Sequence, residues 1–549
     1  MARGTARLIG ANRAVSPSDR ALAGRRECDI YIEYSLNMKA AAPSASGPVT
    51  TNVQPYLERG MTLGTPREEL LLVDGRLVPA ADDGWFENVN PATGEVIGVT
   101  ADAASTDMER AIDAARRAFD EASWAADPAF RVRCLRQLQE ALLRHADELR
   151  AVVVAEGGSP VALTYGPQLD APVQGLGWVA DLAERYAWET DLGVAEPMGI
   201  HSRRFQRREP AGVVGAIVPW NFPVQIMLAK VGPALAAGCT VVLKPAPDTP
   251  WSATLIGRIA TEETDLPAGV LNVVAGSRHE LGHQLAADKR VDMVSFTGST
   301  ATGRSVMRAG AENIKKVFLE LGGKSALLAL DDADLKTVAG NAAFQITAHA
   351  GQGCAILSRL VLPRDRYEEG VELLTETLRS WPYGDPTDPN VLMGPLISER
   401  QRQRVLGYIA TGVAEGATLA LGGGVPEHLP RGYYVEPTIL TDVAPDATVA
   451  QQEIFGPVLV VLAHDGDDHA VDIANNSDYG LSGMVVSASP ERARRVAERV
   501  RTGTISVNGG MYYGADVPFG GYRQSGTGRE SGLAGFEEYL EIKTIAEAC

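Results

Sequence analysis

Met108, Ile112, Ala115 and Phe119 recur at spacings of four, three and four, the period at which side chains share one face of an α-helix. Thr106 and Glu109 read as a T-x-x-E capping box at its start. Leu135, Leu138, Leu142, Leu149 and Val152 mark one face of a second stretch, about 131–154, expected to run as a single helix. Both stretches read as packing elements. From residue 213 the pattern changes: short apolar, β-branched runs at 213–218, 240–243, 270–274 and 293–296 alternate with helical stretches at 225–237, 251–263 and 280–287.

Strands separated by helical crossovers of that length pair in parallel and are covered on both faces, which predicts a doubly wound α/β unit. Ligands of such sheets bind outside the carboxyl ends of the strands. Three turns fall there: Pro219-Trp220-Asn221-Phe222-Pro223, Lys244-Pro245-Ala246-Pro247 and Thr297-Gly298-Ser299-Thr300. A second α/β unit is expected from about residue 322, with apolar runs at 325–330, 360–362, 458–463, 484–487 and 504–507, facing the first across a cleft. No fixed-period repeat or heptad run accompanies them.

Composition narrows the function classes. Hydrophobic residues are 45% and charged residues 22% of the 549, the balance of an ordinary globular chain. Lys plus Arg number 51 against 69 Asp plus Glu, a net charge of −18 that repels phosphate backbones and anionic lipid, so nucleic acid is not expected as a partner. The most apolar short run, 212–220, stops at Asn221, well short of the roughly 20 residues a membrane span needs. Five scattered cysteines without a CxxC pair or a Cys/His cluster point to a reducing compartment, the cytoplasm, and to no structural metal. Residues 1–26 carry six arginines and one acid, and 39–55 are rich in Ala, Ser, Pro and Thr, so 1–60 is expected to be a disordered leader. A dispensable tail or an upstream start is favoured there over a transit peptide.

Three features carry candidate chemistry. Gly298-Ser299 ends a strand directly before a helical pattern, where free N–H groups face an anion, although an ordinary tight turn also fits. Cys354 lies in Gly351-Gln352-Gly353-Cys354, which suits an exposed nucleophile, while for a lone residue a buried apolar cysteine is the better reading. Glu320 precedes Leu321-Gly322-Gly323-Lys324 and reads as a mobile carboxylate or, preferably if it stood alone, as a solvated acid or the partner of Lys324.

Taken together, Asn221, Lys244, Gly298, Gly303, Glu320, Cys354 and Glu453-Ile454-Phe455-Gly456-Pro457 resemble the aldehyde dehydrogenase superfamily, in its NAD(P)-dependent hydrolytic branch. The resemblance runs from about Leu71 to Ile545, through Asn90-Pro91-Ala92-Thr93-Gly94-Glu95 and 518–526, and includes the 34-residue separation of Glu320 from Cys354. It implies an α/β fold with a Rossmann-type cofactor domain (61–190 and 210–321), an α/β catalytic domain (322–520) and a small β oligomerisation element (191–209 and 530–549). It implies Cys354 as nucleophile, Asn221 as oxyanion donor and Glu320 as general base, with no metal. Ile217, Val218, Pro219, Trp220, Lys244, Gly298, Ser299, Gly303, Leu321, Glu453 and Phe455 are the implied cofactor contacts. The cofactor is expected to be NAD. Pro247 stands where many NAD-preferring relatives carry a glutamate, which leaves NADP open.

The implied reaction is oxidation of an aldehyde to the acid; a CoA-acylating enzyme and a non-catalytic nucleotide binder are the alternatives. Ala229, Gly353 and Ala355, with Phe222, Tyr513 and Phe519, are expected to line a substrate tunnel. Glu530 reads as a proton relay with Glu320 or as a structural ion pair. Strands near 202–208 and 539–544 are expected to pair between subunits of a homodimer or homotetramer.

Overall fold

The computed structural model describes residues 67–121 and 123–549. The expected leader lies outside them.

Val213–Ile217, Thr240–Lys244 and Leu271–Val273 form successive parallel neighbours, as β-branched runs joined by helices should. The chain then returns past the first strand and adds Met293–Thr297 and Lys316–Glu320, also parallel, on its other side. Leu71–Val73 and Arg76–Val78 extend one edge antiparallel, and Gly526–Thr527 closes the other beside Glu320. The winding reverses between Val213–Ile217 and Met293–Thr297, the switch point at which such sheets bind ligands.

Alternate residues feed two cores. Val213, Val242, Val294, Phe296 and Leu319 pack with Met108, Ile112 and Leu281 on one face. Val214, Val241, Leu243, Met293 and Phe318 pack with Leu135, Leu138, Leu228 and Ile256 on the other. A second sheet runs Thr418–Leu421, Thr438–Thr441, Val458–His464, Arg359–Pro363, Ala326–Ala329, Gly483–Val486, Ser506–Val507, parallel except for its first strand, and apart from that exposed edge strand is likewise buried on both faces. A separate antiparallel sheet joins Glu189–Ala195, Ser202–Pro210 and Leu540–Ala548. Among the described residues no helix is long and apolar enough to cross a membrane.

Three local expectations are corrected. The stretch at 131–154 is two helices, Pro128–Arg144 and Ala146–Gly157, broken at His145. The His145 ring lies between Glu148 at 3.2 Å and Glu263 at 2.5 Å. Leu142 and Leu149 remain buried on either side of the break, so the apolar stripe does not report it. Helix Ser105–Glu121 begins one residue before Thr106, and the acid that reaches back is Asp107, which accepts from the Ala104 and Ala81 N–H groups at 2.9 Å. Glu109 instead pairs with Arg290. Finally, 530–539 is not strand: it holds helix Gly532–Glu537, and the strand begins at Leu540.

Candidate active site

The register of the first sheet aligns its carboxyl ends. Lys244 lies opposite Ile217, Ile217 opposite Phe296, and Thr297 opposite Glu320, so four neighbouring strands end in one row. Strand Lys316–Glu320 was not signalled by an apolar run, because its sequence Lys-Val-Phe-Leu-Glu is charged at both ends. Its last residue, Glu320, is 2% exposed, and neither carboxylate oxygen has a hydrogen-bond partner. Burial, and secondarily the Glu530 carboxylate, hold the Glu320 pKa well above the ordinary range, with Lys230 and the Cys354 thiol acting the other way. The sequence alternative of a Glu320–Lys324 ion pair is not realised: the Lys324 amine is buried without a partner and is pushed down to about 7, by burial first and Arg359 second.

Cys354 is half-buried on the turn that follows helix Leu335–Thr347. Gly323 lies against it, since a Cβ there would stand 2.7 Å from the Cys354 carbonyl oxygen, so the segment after Glu320 packs directly on the nucleophile candidate. Burial raises the thiol pKa well above its usual value, and Glu320, Glu453 and Glu530 add to the effect through their negative charge. Asn221, 2% exposed, follows strand Val213–Ile217 and donates its side-chain amide to the Gln352 carbonyl at 2.9 Å. Its own carbonyl accepts from Gln168 Nε2 at 2.9 Å. The Cys354 N–H donates to no group among the described residues.

Most of the cofactor candidates fall on the same edge; Glu453 and Phe455 come instead from the loop before strand Val458–His464 of the second sheet. Ile217 and Val218 end the central strand, Pro219 follows, and Trp220 meets the Phe455 ring edge-on at 5.3 Å. Lys244 is buried, its amine offered only the Pro245 and Gly276 carbonyls at 3.3 and 3.4 Å, and burial pushes it down to about 8. The Gly298 N–H donates to the Glu320 carbonyl at 3.1 Å, tying the phosphate-turn candidate to the base candidate. Ser299 caps helix Thr300–Ala311 by accepting from the Thr302 N–H. Gly303 lets that helix approach Leu321, whose side chain a Cβ would meet at 2.6 Å, and the Leu321 N–H donates to the Ser525 carbonyl. Glu453, pushed up to about 7 by burial, accepts from the Gly323 N–H at 3.0 Å. Phe455 adopts φ +64°. A buried amine with only long contacts, a capped helix N-terminus, a carboxylate acceptor and an aromatic pair suit the ribose, pyrophosphate and ring portions of a dinucleotide.

Of the tunnel candidates, Phe222 meets the His349 ring at 5.6 Å, and Tyr513, half exposed, stacks on Phe519 at 5.6 Å. Gly353 does not open space toward a tunnel: a Cβ there would meet the Ile356 side chain at 2.9 Å, with the Phe222 ring at 3.9 Å. Glu530 takes the ion-pair role: Lys230, fully buried, donates to it and stands 4.7 Å from the Phe318 ring centre.

Sequence reasoning missed Lys230, Gln168, His349 and the side chain of Gln352. The signal for Lys230 was available, as a lysine amid Val224, Ile226, Met227, Leu228 and Val231. The amides and the histidine matter through tertiary contacts that no local pattern announces.

A sheet wound about a switch point, with a thiol, a carboxylate and dinucleotide-type contacts on its carboxyl edge, defines an α/β enzyme of the dinucleotide-binding class. A model of the aldehyde dehydrogenase family matches residues 78–545. The chain is 42% identical over 477 residues to a 3-succinoylsemialdehyde-pyridine dehydrogenase from Pseudomonas sp., covering 86% of this chain and 97% of that protein. It is 39% identical over 463 residues to the mitochondrial aldehyde dehydrogenase of Homo sapiens, covering 84% and 88%. Among solved structures, an aldehyde dehydrogenase of Mycobacterium tuberculosis complexed with NAD+ superposes with a TM-score of 0.84 at 39% identity over 88% of this chain and 98% of that one. Betaine aldehyde dehydrogenase from Staphylococcus aureus in complex with NAD+ gives 0.86 at 33% identity over 90% and 97%. The chain belongs to the aldehyde dehydrogenase family.

Proposed function

We propose that this protein oxidises an aldehyde to the carboxylic acid with NAD, through a covalent adduct on Cys354. The observation that carries the mechanism is the unpartnered, buried Glu320 carboxylate beside the Cys354 thiol, with the Asn221 amide bonded to the residue two before the cysteine.

Each residue has a derivable task. The Cys354 proton passes to Glu320, whose raised proton affinity suits it to accept, and the sulfur adds to the aldehyde carbon. The carbonyl oxygen then carries the charge, and two donors serve it: the Cys354 N–H and the Asn221 amide hydrogen not spent on Gln352. Bound NAD supplies the acceptor for the hydride that leaves the substrate carbon. Glu320 releases that proton to solvent and then takes one from the water that attacks the Cys354 thioester; the acid departs, and Glu320 returns the proton to the expelled sulfur as the thiol reforms. Lys244, Ser299, Glu453, Trp220 and Phe455 are assigned to holding the dinucleotide, with Ile217, Val218, Pro219, Gly298, Gly303 and Leu321 shaping its bed. Residues 61–190 and 210–321 are assigned to the cofactor domain and 322–520 to the catalytic domain.

A bulky or aromatic aldehyde is the favoured substrate class. The half-exposed Tyr513 stacked on Phe519 supports it. So does the 42% identical relative, whose name specifies a pyridine-bearing semialdehyde. Pro247 brings no carboxylate against a 2′-phosphate, so NADP belongs in the same assay. The outer strand Leu540–Ala548, with Leu192, Val194 and Ile542 exposed on its sheet, supports a homodimer or homotetramer. Unpaired cysteines among the described residues support the cytoplasm.

The test is the absorbance of reduced nicotinamide with short, long-chain and aromatic aldehydes, with NAD and NADP in parallel. Turnover that vanishes in Cys354→Ala while nucleotide binding persists, with free acid as product, is the expected result. No turnover in a nucleotide-binding wild type overturns the reading, and product only in the presence of coenzyme A transfers it to the acylating branch.

A further inference from the structure

We infer that Gln352 is the positioning residue of this site: its side chain clamps a left-handed turn ahead of Cys354, and its carbonyl sets where the Asn221 amide stands relative to the nucleophile. The inference rests on the roles proposed above for Cys354 and Asn221 and adds a residue that those roles do not require.

After helix Leu335–Thr347, three consecutive residues adopt left-handed backbone: His349 at φ 49°, ψ 40°, Ala350 at φ 54°, ψ 35°, and Gly351 at φ 68°. Glycine takes that region freely, but histidine and alanine are held there against steric preference, and such conformations persist only where the surroundings over-determine them.

Gln352, 0% exposed, supplies that constraint. Its backbone N–H and its side-chain Nε2 both donate to the His349 carbonyl at 3.1 Å, closing the turn on itself. Nε2 also donates to the Pro395 carbonyl at 3.3 Å, and Oε1 accepts from the Ile397 N–H at 2.9 Å. The amide therefore pairs with the 395–397 backbone as a strand peptide would, and both of its amide hydrogens are used. On the opposite side the turn is pressed against the cofactor motif, since a Cβ on Gly351 would stand 2.3 Å from the Gly456 carbonyl oxygen.

The carbonyl of the same glutamine accepts the Asn221 amide at 2.9 Å, and Gln168 fixes Asn221 from behind at 2.9 Å. One residue thus anchors both oxyanion donors: the Cys354 N–H, two residues on, and the second hydrogen of the Asn221 amide. If the clamp is released, the turn relaxes toward ordinary backbone and the two donors cease to converge on one oxygen.

The experiment compares full-length wild type with Gln352→Met, a side chain of similar length that makes none of these hydrogen bonds. Four quantities are read: kcat for aldehyde oxidation, kcat for cofactor-free hydrolysis of p-nitrophenyl acetate, the rate of Cys354 alkylation by iodoacetamide, and NAD affinity by protein fluorescence. Both kcat values should fall together by about 100-fold, the scale of an ångström-level misplacement, while alkylation and NAD affinity hold. Adding Ala350→Gly to Gln352→Met should recover part of both kcat values, because glycine holds the left-handed turn without a clamp.

An unchanged kcat, a parallel loss of all four quantities, or no recovery in the double variant overturns the inference. Should Gln352→Met fail to fold, Gln352→Glu is read by the same criteria, since it keeps the acceptor for Ile397 but sets a carboxylate against two carbonyls. Wild type without aldehyde turnover defeats the proposed function instead, and ester hydrolysis by the variants still tests the clamp.

Discussion

Asn221 gives one amide hydrogen to the Gln352 carbonyl at 2.9 Å across 131 positions of the chain, joining the end of a strand in one sheet to the turn that presents Cys354. The bond leaves the other hydrogen of the amide for a ligand. Asn221→Ala should lower kcat by about 100- to 1000-fold, the usual effect of losing an oxyanion donor. NAD affinity should stay as in wild type. Steady-state kinetics beside a fluorescence titration separates the two, and a change confined to affinity refutes the role.

The thiol should be sluggish without ligands. Burial first, then the charges of Glu320, Glu453 and Glu530, raise its pKa, and only the thiolate is alkylated. The alkylation rate should therefore keep climbing with pH beyond the range of an ordinary cysteine. Removing the Glu320 charge in Glu320→Gln should move the profile to lower pH, while abolishing thioester hydrolysis. An unchanged profile, or a shift to higher pH, refutes the electrostatic effect of Glu320 on the thiol.

Lys324 costs stability. Its amine is buried without a partner and titrates near 7 in the folded chain, against an ordinary 10.5. The folded state therefore holds fewer protons than the unfolded state between those values, so wild-type stability rises with pH across that window. Lys324→Met should be the more stable protein at neutral pH, and its advantage should shrink by about 2 kcal/mol between pH 7 and pH 9. Urea unfolding of both proteins at the two pH values is the check, and a constant difference refutes the assignment.

Lys230 and Glu530 form a buried ion pair whose halves depend on each other. Lys230→Met should destabilise by about 3–5 kcal/mol, since it strands a buried carboxylate beside Glu320. Lys230→Met with Glu530→Gln should recover most of that loss. Denaturant midpoints measure both, and additive losses would exclude the coupling.

Much of this was legible in the chain itself. Helices 251–263 and 280–287 emerge residue for residue, because a full apolar face recurs and Pro250 and Pro267 punctuate the first. Strand 213–217 emerges because its β-branched run is buried on both faces. The break at His145 was invisible because the apolar stripe continues through it, and strand Lys316–Glu320 because charges bracket three apolar residues. The site residues were read from their spacing and resemblance, yet the partners that hold them come from distant segments.

The sequence by itself determined the apolar faces of the helices and, to within a residue, the carboxyl ends of the strands expected at 213–218, 240–243 and 293–296, because periodicity and turn chemistry are local, and its resemblance to a family singled out Asn221, Lys244, Glu320, Cys354 and Glu453 as a candidate set. Only the tertiary structure decided that neither Glu320 carboxylate oxygen has a hydrogen-bond partner, that Lys230 pairs with Glu530, and that the Gln352 side chain bonds the His349 carbonyl and the Ile397 N–H ahead of Cys354. Those facts are questions of which buried polar groups find partners, and partnership depends on segments 45, 131 and 300 residues apart being packed against one another.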